Sequence, residues 1–186
     1  MLPFANMSPD PEQEYFCEGI AEELINGLGR LKNLRVASRT SAFKFKGSEH
    51  DIREIGEHLN VDKVVEGSAR KSGNRVRITV QLINVHDGYR LWSERYDRKL
   101  EDIFAIQYEI AESIVQALEV TLSPKERRSI QNVATWDVEA YDFYLRGRRY
   151  FYEFDRRNWE MARRMFELAI KLDPNYALAY AAIADC

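Results

Sequence analysis

Two acidic pairs in this sequence have the side chains that acid/base catalysis requires. They are Glu22-Glu23 and Glu101-Asp102. Carboxylates do such work only when they meet in a cleft with suitably shifted acidities. Both pairs are also explained by their positions, one on a predicted helix face and the other at a predicted helix start. The sequence therefore predicts no catalytic residue.

The sequence also contains no motif typical of a metal site or a cofactor site. The histidines, His50, His58 and His86, lie far apart in the sequence, and none has a second ligand at the spacing of a metal site. The glycines form no loop that follows a strand and opens a helix, as a phosphate cradle requires. We therefore expect neither a metal ion nor a cofactor.

Seven basic residues would form a patch for an anionic partner if they shared the open face of a sheet. They are Arg39, Lys44, Lys46, Arg70, Lys71, Arg75 and Arg77. Charge on the wet face of a sheet also serves solvation and edge protection. The net charge of −3 and the pI near 5.7 give no basic field for nucleic acid. No apolar run approaches the roughly 18 residues that span a bilayer. We expect no nucleic-acid binding and no membrane insertion by this chain.

Secondary structure is predicted most clearly in residues 63–96. Apolar and polar residues alternate through residues 75–82, which is the period of a strand with one buried face. Residues 71–74 and 86–88 contain the glycines and polar residues that favour tight turns. The segment is predicted to be a three-stranded antiparallel meander.

Helical periodicity flanks this meander on both sides. Pro11 suits the first turn of a helix, Asp51 suits the N-cap of a short helix, and a long apolar stripe follows Asp102. Residues 2–4 and 34–38 are strand candidates, residues 39–41 a loop, and residues 42–47 a small extended or irregular segment. This order predicts an α+β fold, a two-layer α/β sandwich with a mixed sheet.

The chain changes character after residue 122. Ser123 and Pro124 mark a break, and the polar stretch that follows predicts a linker or a capping helix. Beyond it lies a segment rich in helix formers that resembles a tetratricopeptide (TPR) repeat. The residues that carry the resemblance are Phe143, Gly147, Tyr150, Ala162, Phe166, Ala169 and Pro174.

The segment differs from the TPR pattern at two points, and a second repeat follows it. Arg146 stands where the repeat usually has a leucine, and the turn before Trp159 is about three residues longer than the pattern. A second repeat begins at Ala177, with Tyr180 and Ile183 in phase. Repeats bury their apolar faces against neighbours, so we expect further repeats in the native protein.

The TPR resemblance also implies a partner-binding surface on the first helix of the repeat. If Gly147 is the eighth position, five side chains line the groove: Tyr141, Tyr144, Arg148, Phe151 and Tyr152. Aromatic rings and a guanidinium suit an extended peptide or protein partner. The alternative is that several of them pack on the preceding domain or on the next repeat.

The first two-thirds of the chain resembles the amino-terminal domain of TolB as it recurs in multidomain bacterial signalling proteins. The matching segments are residues 2–28, 38–47, 51–83 and 91–111. The resemblance implies an anticodon-binding-like α/β domain used for protein contacts. Such domains follow a class III adenylate/guanylate cyclase, a winged-helix regulator or a Ser/Thr kinase domain. Some are preceded by a membrane span, so a cytoplasmic and a periplasmic position both stay open.

These patterns predict four parts and one function. Residues 1–122 form the TolB-like domain, 123–138 the linker or capping helix, 139–176 the first TPR repeat and 177–186 the start of a second. The predicted function is a non-catalytic interaction and sensory module that regulates a fused signalling domain, with an adenylate/guanylate cyclase favoured. The alternatives are a small-molecule sensor and a free-standing envelope adaptor that binds peptides. An uncovered apolar face also predicts a homodimer through the C-terminal helices.

Overall fold

The computed structural model of the chain describes residues 1–153 and 155–186. Within these residues the sheet consists of β1 (Ala5–Asn6), β2 (Lys63–Ser72), β3 (Arg75–Asn84) and β4 (Arg90–Lys99). The strands are ordered β1-β2-β3-β4; β1 is parallel to β2, and the other pairs are antiparallel. The predicted α+β fold with a mixed sheet and a helical C-terminal part is confirmed, including the meander.

The alternating pattern of β3 divides the sheet into a buried and an open face. Its apolar residues are fully buried: Val76, Ile78, Val80 and Leu82. The turn before β3 contains Gly73 with a φ of 57°, a left-handed conformation that favours glycine. The tight turn and the buried stripe together fix the register of the β2–β3 hairpin.

Helices pack against the sheet and continue into the C-terminal part. They are α1 (Glu14–Leu28), α2 (Arg39–Ala42), α3 (Ile52–Leu59), α4 (Ile103–Ala117), α5 (Pro124–Gln131), α6 (Val138–Tyr152), α7 (Arg156–Leu172) and α8 (Ala177–Ala184). Apolar residues of α1 and α4, such as Ile20 and Ile110, share one hydrophobic core with β3 and with α6. None of the described helices is long and apolar enough to cross a membrane.

Two local predictions between α1 and α3 are wrong. Residues 34–38 do not form a strand and lie outside the sheet, in which β2 is flanked by β1 and β3. Residues 39–41 are helical rather than a loop, since the Ser38 hydroxyl accepts a hydrogen bond from the Ser41 amide at 3.3 Å and caps α2. A 3₁₀ helix, Phe43–Phe45, follows in the predicted irregular segment.

The C-terminal part is a helical hairpin, α6 and α7, with α8 packed on α7. A Cβ atom at Gly147 would lie 2.6 Å from Cδ1 of Phe166, so glycine permits the close approach of the two helices. Ala162 and Ala169 are fully buried beside this contact. The turn that the sequence predicts to be long includes residue 154, which lies outside the described residues.

The two faces of β3 predict opposite responses to truncation. We expect Ile78→Ala to lower the free energy of unfolding by about 2 to 5 kcal/mol, because Ile78 is fully buried in the core. Thr79→Ala, on the open face of the same strand, should cost less than about 1 kcal/mol. Urea unfolding monitored by circular dichroism measures both, and equal losses would contradict the assigned register.

Candidate functional site

The candidate functional site is the interface between helices α1 and α6. A Cβ atom at Gly19 of α1 would lie 2.6 Å from Cδ2 of Leu145 on α6, so the two helices touch where Gly19 lacks a side chain. Tyr15 contacts Asp142 before this point, and Glu22 contacts Arg148 after it. The paired positions advance in the same direction, and the two helices therefore run parallel.

A cluster around Asp142 holds one end of the interface. The Asp142 carboxylate accepts hydrogen bonds from the Tyr15 hydroxyl at 2.6 Å and from Nζ of Lys71 on β2 at 2.9 Å. Nε of Arg146 donates to its other oxygen at 2.8 Å. Burial alone would raise the pKa of Asp142, but these contacts outweigh burial and lower the pKa. Asp142 thus stays ionised and ties α6 to both α1 and the sheet.

A second cluster surrounds Glu22, whose side chain is buried and only 7% exposed. Nε of Arg39 on α2 donates to one carboxylate oxygen at 3.0 Å. The other oxygen accepts from the Arg148 guanidinium and, at 3.0 Å, from the Tyr152 hydroxyl. A buried carboxylate is stable only when it is paired and hydrogen-bonded, and both requirements are met here by residues from other helices.

Arg39 connects the short helix α2 to this cluster by stacking as well as by charge. Its guanidinium carbon lies 3.5 Å from the centre of the Tyr152 ring and 4.1 Å from the centre of the Phe43 ring. Stacking on aromatic faces is a favourable use of the planar guanidinium. The segment that the sequence assigns to a loop therefore belongs to the interface.

The five predicted partner-binding residues differ in how they are placed. Tyr141 and Tyr144 are buried, and the Tyr141 hydroxyl accepts a hydrogen bond from Nε2 of Gln107 on α4 at 2.6 Å. Arg148 and Tyr152 contact Glu22, and Phe151 is half-buried with its ring 5.6 Å from that of Tyr152. Contact with the preceding domain, the alternative considered above, applies to Tyr141, Arg148 and Tyr152. Their role in partner binding stays a prediction.

Five of the seven basic residues lie in ion pairs, and Arg70, Arg75 and Arg77 share one surface depression with Asp97. Besides Arg39 and Lys71 in the two clusters, Lys46 contacts Glu14 at 2.9 Å and Glu18 at 2.6 Å. Arg75 and Arg77 both contact Asp97 across the β3–β4 pair, at 2.7 Å and 2.6 Å. These two arginines lower the pKa of Asp97 to about 2. The acidic neighbours offset much of the positive charge that the sequence suggested.

The histidines that are distant in the sequence partly converge. The rings of His50 and His58 lie 6.3 Å apart, and both contact Glu54, His50 through the side chain and His58 through the backbone carbonyl. Within the described residues no group of three or more potential ligands could hold a metal ion. Sequence spacing missed this proximity because His50 precedes α3 and His58 lies on it.

Reasoning from the sequence also missed Asp142, Lys71 and Arg39 as interface residues. One signal was available: Asp142, Leu145 and Arg148 recur at intervals of three on α6, so polar residues share a stripe with a buried leucine. Polar residues on a buried stripe need partners on the facing element. The partners on β2 and α2 could not be identified without the packing of α6 on α1.

Residues 1–117 match the family described as the second domain of HilA/YgeH-like transcriptional regulators. The chain belongs to this family.

A curated relative extends the similarity into the helical part. The Rhizobium meliloti (strain 1021) protein named "Putative adenylate cyclase 3" is 44% identical over 184 residues, which is 99% of this chain. The chain spans 31% of that relative's length. The match therefore includes α6, α7 and α8 as well as the α+β domain.

Two solved structures share more distant similarity. One is a dodecamer of a PelC variant from Paraburkholderia phytofirmans, with 18% identity and a TM-score of 0.41, covering 64% of this chain and 86% of that chain. The other is the LpoB C-terminal domain from Salmonella enterica, with 15% identity and a TM-score of 0.30, covering 52% of this chain and 77% of that chain.

The Glu22 cluster predicts a large cost for removing its carboxylate. We expect Glu22→Ala to lower the free energy of unfolding by about 3 kcal/mol, because the partly buried Arg148 guanidinium loses its counter-charge and Arg39 keeps only Glu18, at 3.8 Å. The matched control is Glu167→Ala, which breaks the exposed Arg163–Glu167 pair on α7 and should cost at most about 0.5 kcal/mol. Thermal and urea unfolding of the two variants give the comparison. Similar losses would mean that the Glu22 cluster contributes no more than a surface pair.

Proposed function

We propose that this chain is a non-catalytic interaction and sensory module that regulates a signalling domain fused to it, with an adenylate or guanylate cyclase as the favoured output. The observation that carries the proposal is the α1–α6 interface, in which buried charges join the α+β domain to the helical part. Breaking such contacts is costly, so the two parts respond together to a partner. The name of the Rhizobium relative supports the choice of a cyclase.

The domain division belongs to the same proposal. We assign residues 1–122 to a TolB-like domain, 123–138 to a connector, 139–176 to a first TPR repeat and 177–186 to the start of a second. The close contact between Gly147 and Phe166 supports the repeat, since TPR helices approach through small residues. The contact of α8 with α7 supports the assignment of residues 177–186 to a second repeat.

Peptide or protein binding would act through the part of α6 that stays accessible. Arg148, Phe151 and Tyr152 are half-buried rather than buried. A partner carboxylate that binds Arg148 or Tyr152 would compete with Glu22 for the same donors. Partner binding would thereby change the contact between α6 and α1, which gives the module a physical means of transmitting a signal.

A small-molecule sensor is a second candidate function. It is favoured by one observation, a cavity lined by α1, α4, α5, α6 and α8 and by the segment between α5 and α6.

The regulatory role predicts that a change at the interface alters the activity of the complete gene product. We expect that protein to cyclise ATP or GTP and Glu22→Gln to change the rate several-fold, since allosteric couplings are typically about 5-fold or more. Glu167→Gln is the control and should leave the rate unchanged. Cyclic nucleotide release by both variants, and by residues 1–186 alone, is the measurement. Cyclase activity of the isolated chain, or equal rates for Glu22→Gln and wild type, would refute the proposal.

The apolar face of the C-terminal helices predicts self-association of this chain. Leu172, Leu178 and Tyr180 are 39%, 37% and 50% exposed, and exposed apolar surface promotes association. We expect a concentration-dependent dimer that Leu178→Ser weakens. Thr79→Ser, on the open face of the sheet, is the control. Light scattering that shows a monomer over a wide concentration range would rule this interface out.

A further inference from the structure

A cavity lies where the α+β domain meets the helical part. Its volume is about 370 Å³, which is within the range of small-molecule sites. Apolar wall residues come from α1, α4, α5 and α8: Leu24, Ala111, Ile130 and Leu178. Polar groups come from α1, α4 and α6 and also from α5 and the segment that follows it. A space bounded by both parts of the chain is well placed for a ligand that both parts sense.

Glu23 supplies the charge of this cavity. Unlike its neighbour Glu22, it makes no hydrogen bond and no ion pair with any residue that the structure describes, although its side chain is only partly exposed. Burial, and then the charge of Glu22, raise the pKa of Glu23 to about 7, while Arg148 and Arg30 act in the opposite direction. A carboxylate that lines a cavity without an ion-pair partner is a site for a cation.

Aromatic rings surround the same space. Tyr141 and Tyr176, which also line the cavity, are almost fully buried, and Tyr108 of α4 lies at its wall. The Gln107 amide is fixed by its hydrogen bond to the Tyr141 hydroxyl. Rings attract cations through their faces, and hydroxyl oxygens accept hydrogen bonds from N–H groups. The lining therefore suits a cation that carries N–H donors.

Gly27 leaves space beside Glu23. It lies one helical turn further along α1, and a Cβ atom there would have no contact within 4 Å. Glycine within a helix is about 1 kcal/mol less favourable than alanine, and packing does not require it here. The glycine keeps the approach to the Glu23 carboxylate open.

We infer that this cavity binds a small organic cation, a primary amine or an amidine with an aromatic or apolar body. Glu23 forms the ion pair, the tyrosine rings surround the cationic group, and the apolar walls hold the body of the ligand. Arg30 lines the cavity too, and its charge competes with that of a ligand, but it forms no ion pair with Glu23; its Nε atom donates to the Asn26 carbonyl at 3.3 Å. The inference deepens the sensory part of the proposed function. Its test measures binding alone, so it can fail independently of the cyclase experiment.

The first measurement compares probes of one shape and different charge. Benzylamine and benzamidine are titrated into the chain, with benzyl alcohol as the neutral probe and benzoate as the anion, while the methyl resonances of Ala111 and Leu178 are recorded. We expect both cations to shift these resonances saturably, and the neutral and anionic probes to have little effect. Absence of cation binding, or equal binding of benzoate, would overturn the inference.

The pH dependence of binding tests the role of the carboxylate. The charged groups and phenols that face Glu23 are Glu22, Arg30, Arg148, Tyr108, Tyr141, Tyr144 and Tyr176. With a pKa of about 7, Glu23 is mostly protonated at pH 6 and mostly ionised at pH 8. Benzylamine affinity should therefore rise about tenfold between these pH values, because the fraction of the protein in which Glu23 is ionised rises about tenfold. An affinity independent of pH would contradict an ion pair with Glu23.

Two variants and two matched controls complete the test. Glu23→Gln preserves shape and should abolish both the preference for cations and the pH dependence, and Glu57→Gln, on the exposed surface of α3, should preserve both. Gly27→Leu should block every probe by filling the space beside Glu23, and Gly27→Ala should retain binding. Circular dichroism establishes that each variant folds. Unchanged benzylamine binding by Glu23→Gln or by Gly27→Leu would refute the site.

Discussion

The buried carboxylate of Glu22 is the constraint on which the arrangement of this chain depends. A carboxylate removed from water requires counter-charges and hydrogen-bond donors, and α1 itself supplies none of them to Glu22. Arg39 comes from α2, and Arg148 and Tyr152 come from α6. The Glu22 carboxylate is thus the common partner of residues from α2 and from α6.

The contact at Gly19 makes this charge arrangement possible. Only a residue without a side chain lets Leu145 approach α1 so closely, and the approach brings the polar residues on either side of Leu145 within reach of their partners on α1. The interface therefore combines an apolar contact at its centre with a polar cluster at each end. Such an interface holds one orientation more strictly than an apolar contact does, because each charge must meet its partner.

The adjacent residues Glu22 and Glu23 have different surroundings because consecutive side chains point in different directions on a helix. Glu22 points towards α2 and α6, where cations neutralise it, and Glu23 lies about 100° further around α1, beside the cavity. One carboxylate stabilises the interface, and the other is available to a ligand. A ligand at Glu23 would lie beside the interface that Glu22 maintains, so binding and domain contact are physically close.

The sequence by itself determined the three-stranded meander and most helices, because their signals are local, whereas the first strand lies at Ala5–Asn6 rather than at residues 2–4. The alternation in β3, the glycine turn before it and the stripe of α4 each depend on neighbours within a few residues. The Ser38 cap of α2 was also a local signal, and it was overlooked. Residues 34–38 have a local strand pattern but no strand partner in the folded chain, where the sheet consists of β1 to β4.

Only the tertiary structure decided the partners of the charged and aromatic residues. Tyr141, Arg148 and Tyr152 belong to a helix whose sequence does not say which face meets α1. Glu22 and Arg148 are 126 residues apart in the chain, and no periodicity connects them. The sequence specified which residues could form ion pairs. The packing of α6 on α1 determined which of them do, because side chains distant in the chain interact only after the helices are in contact.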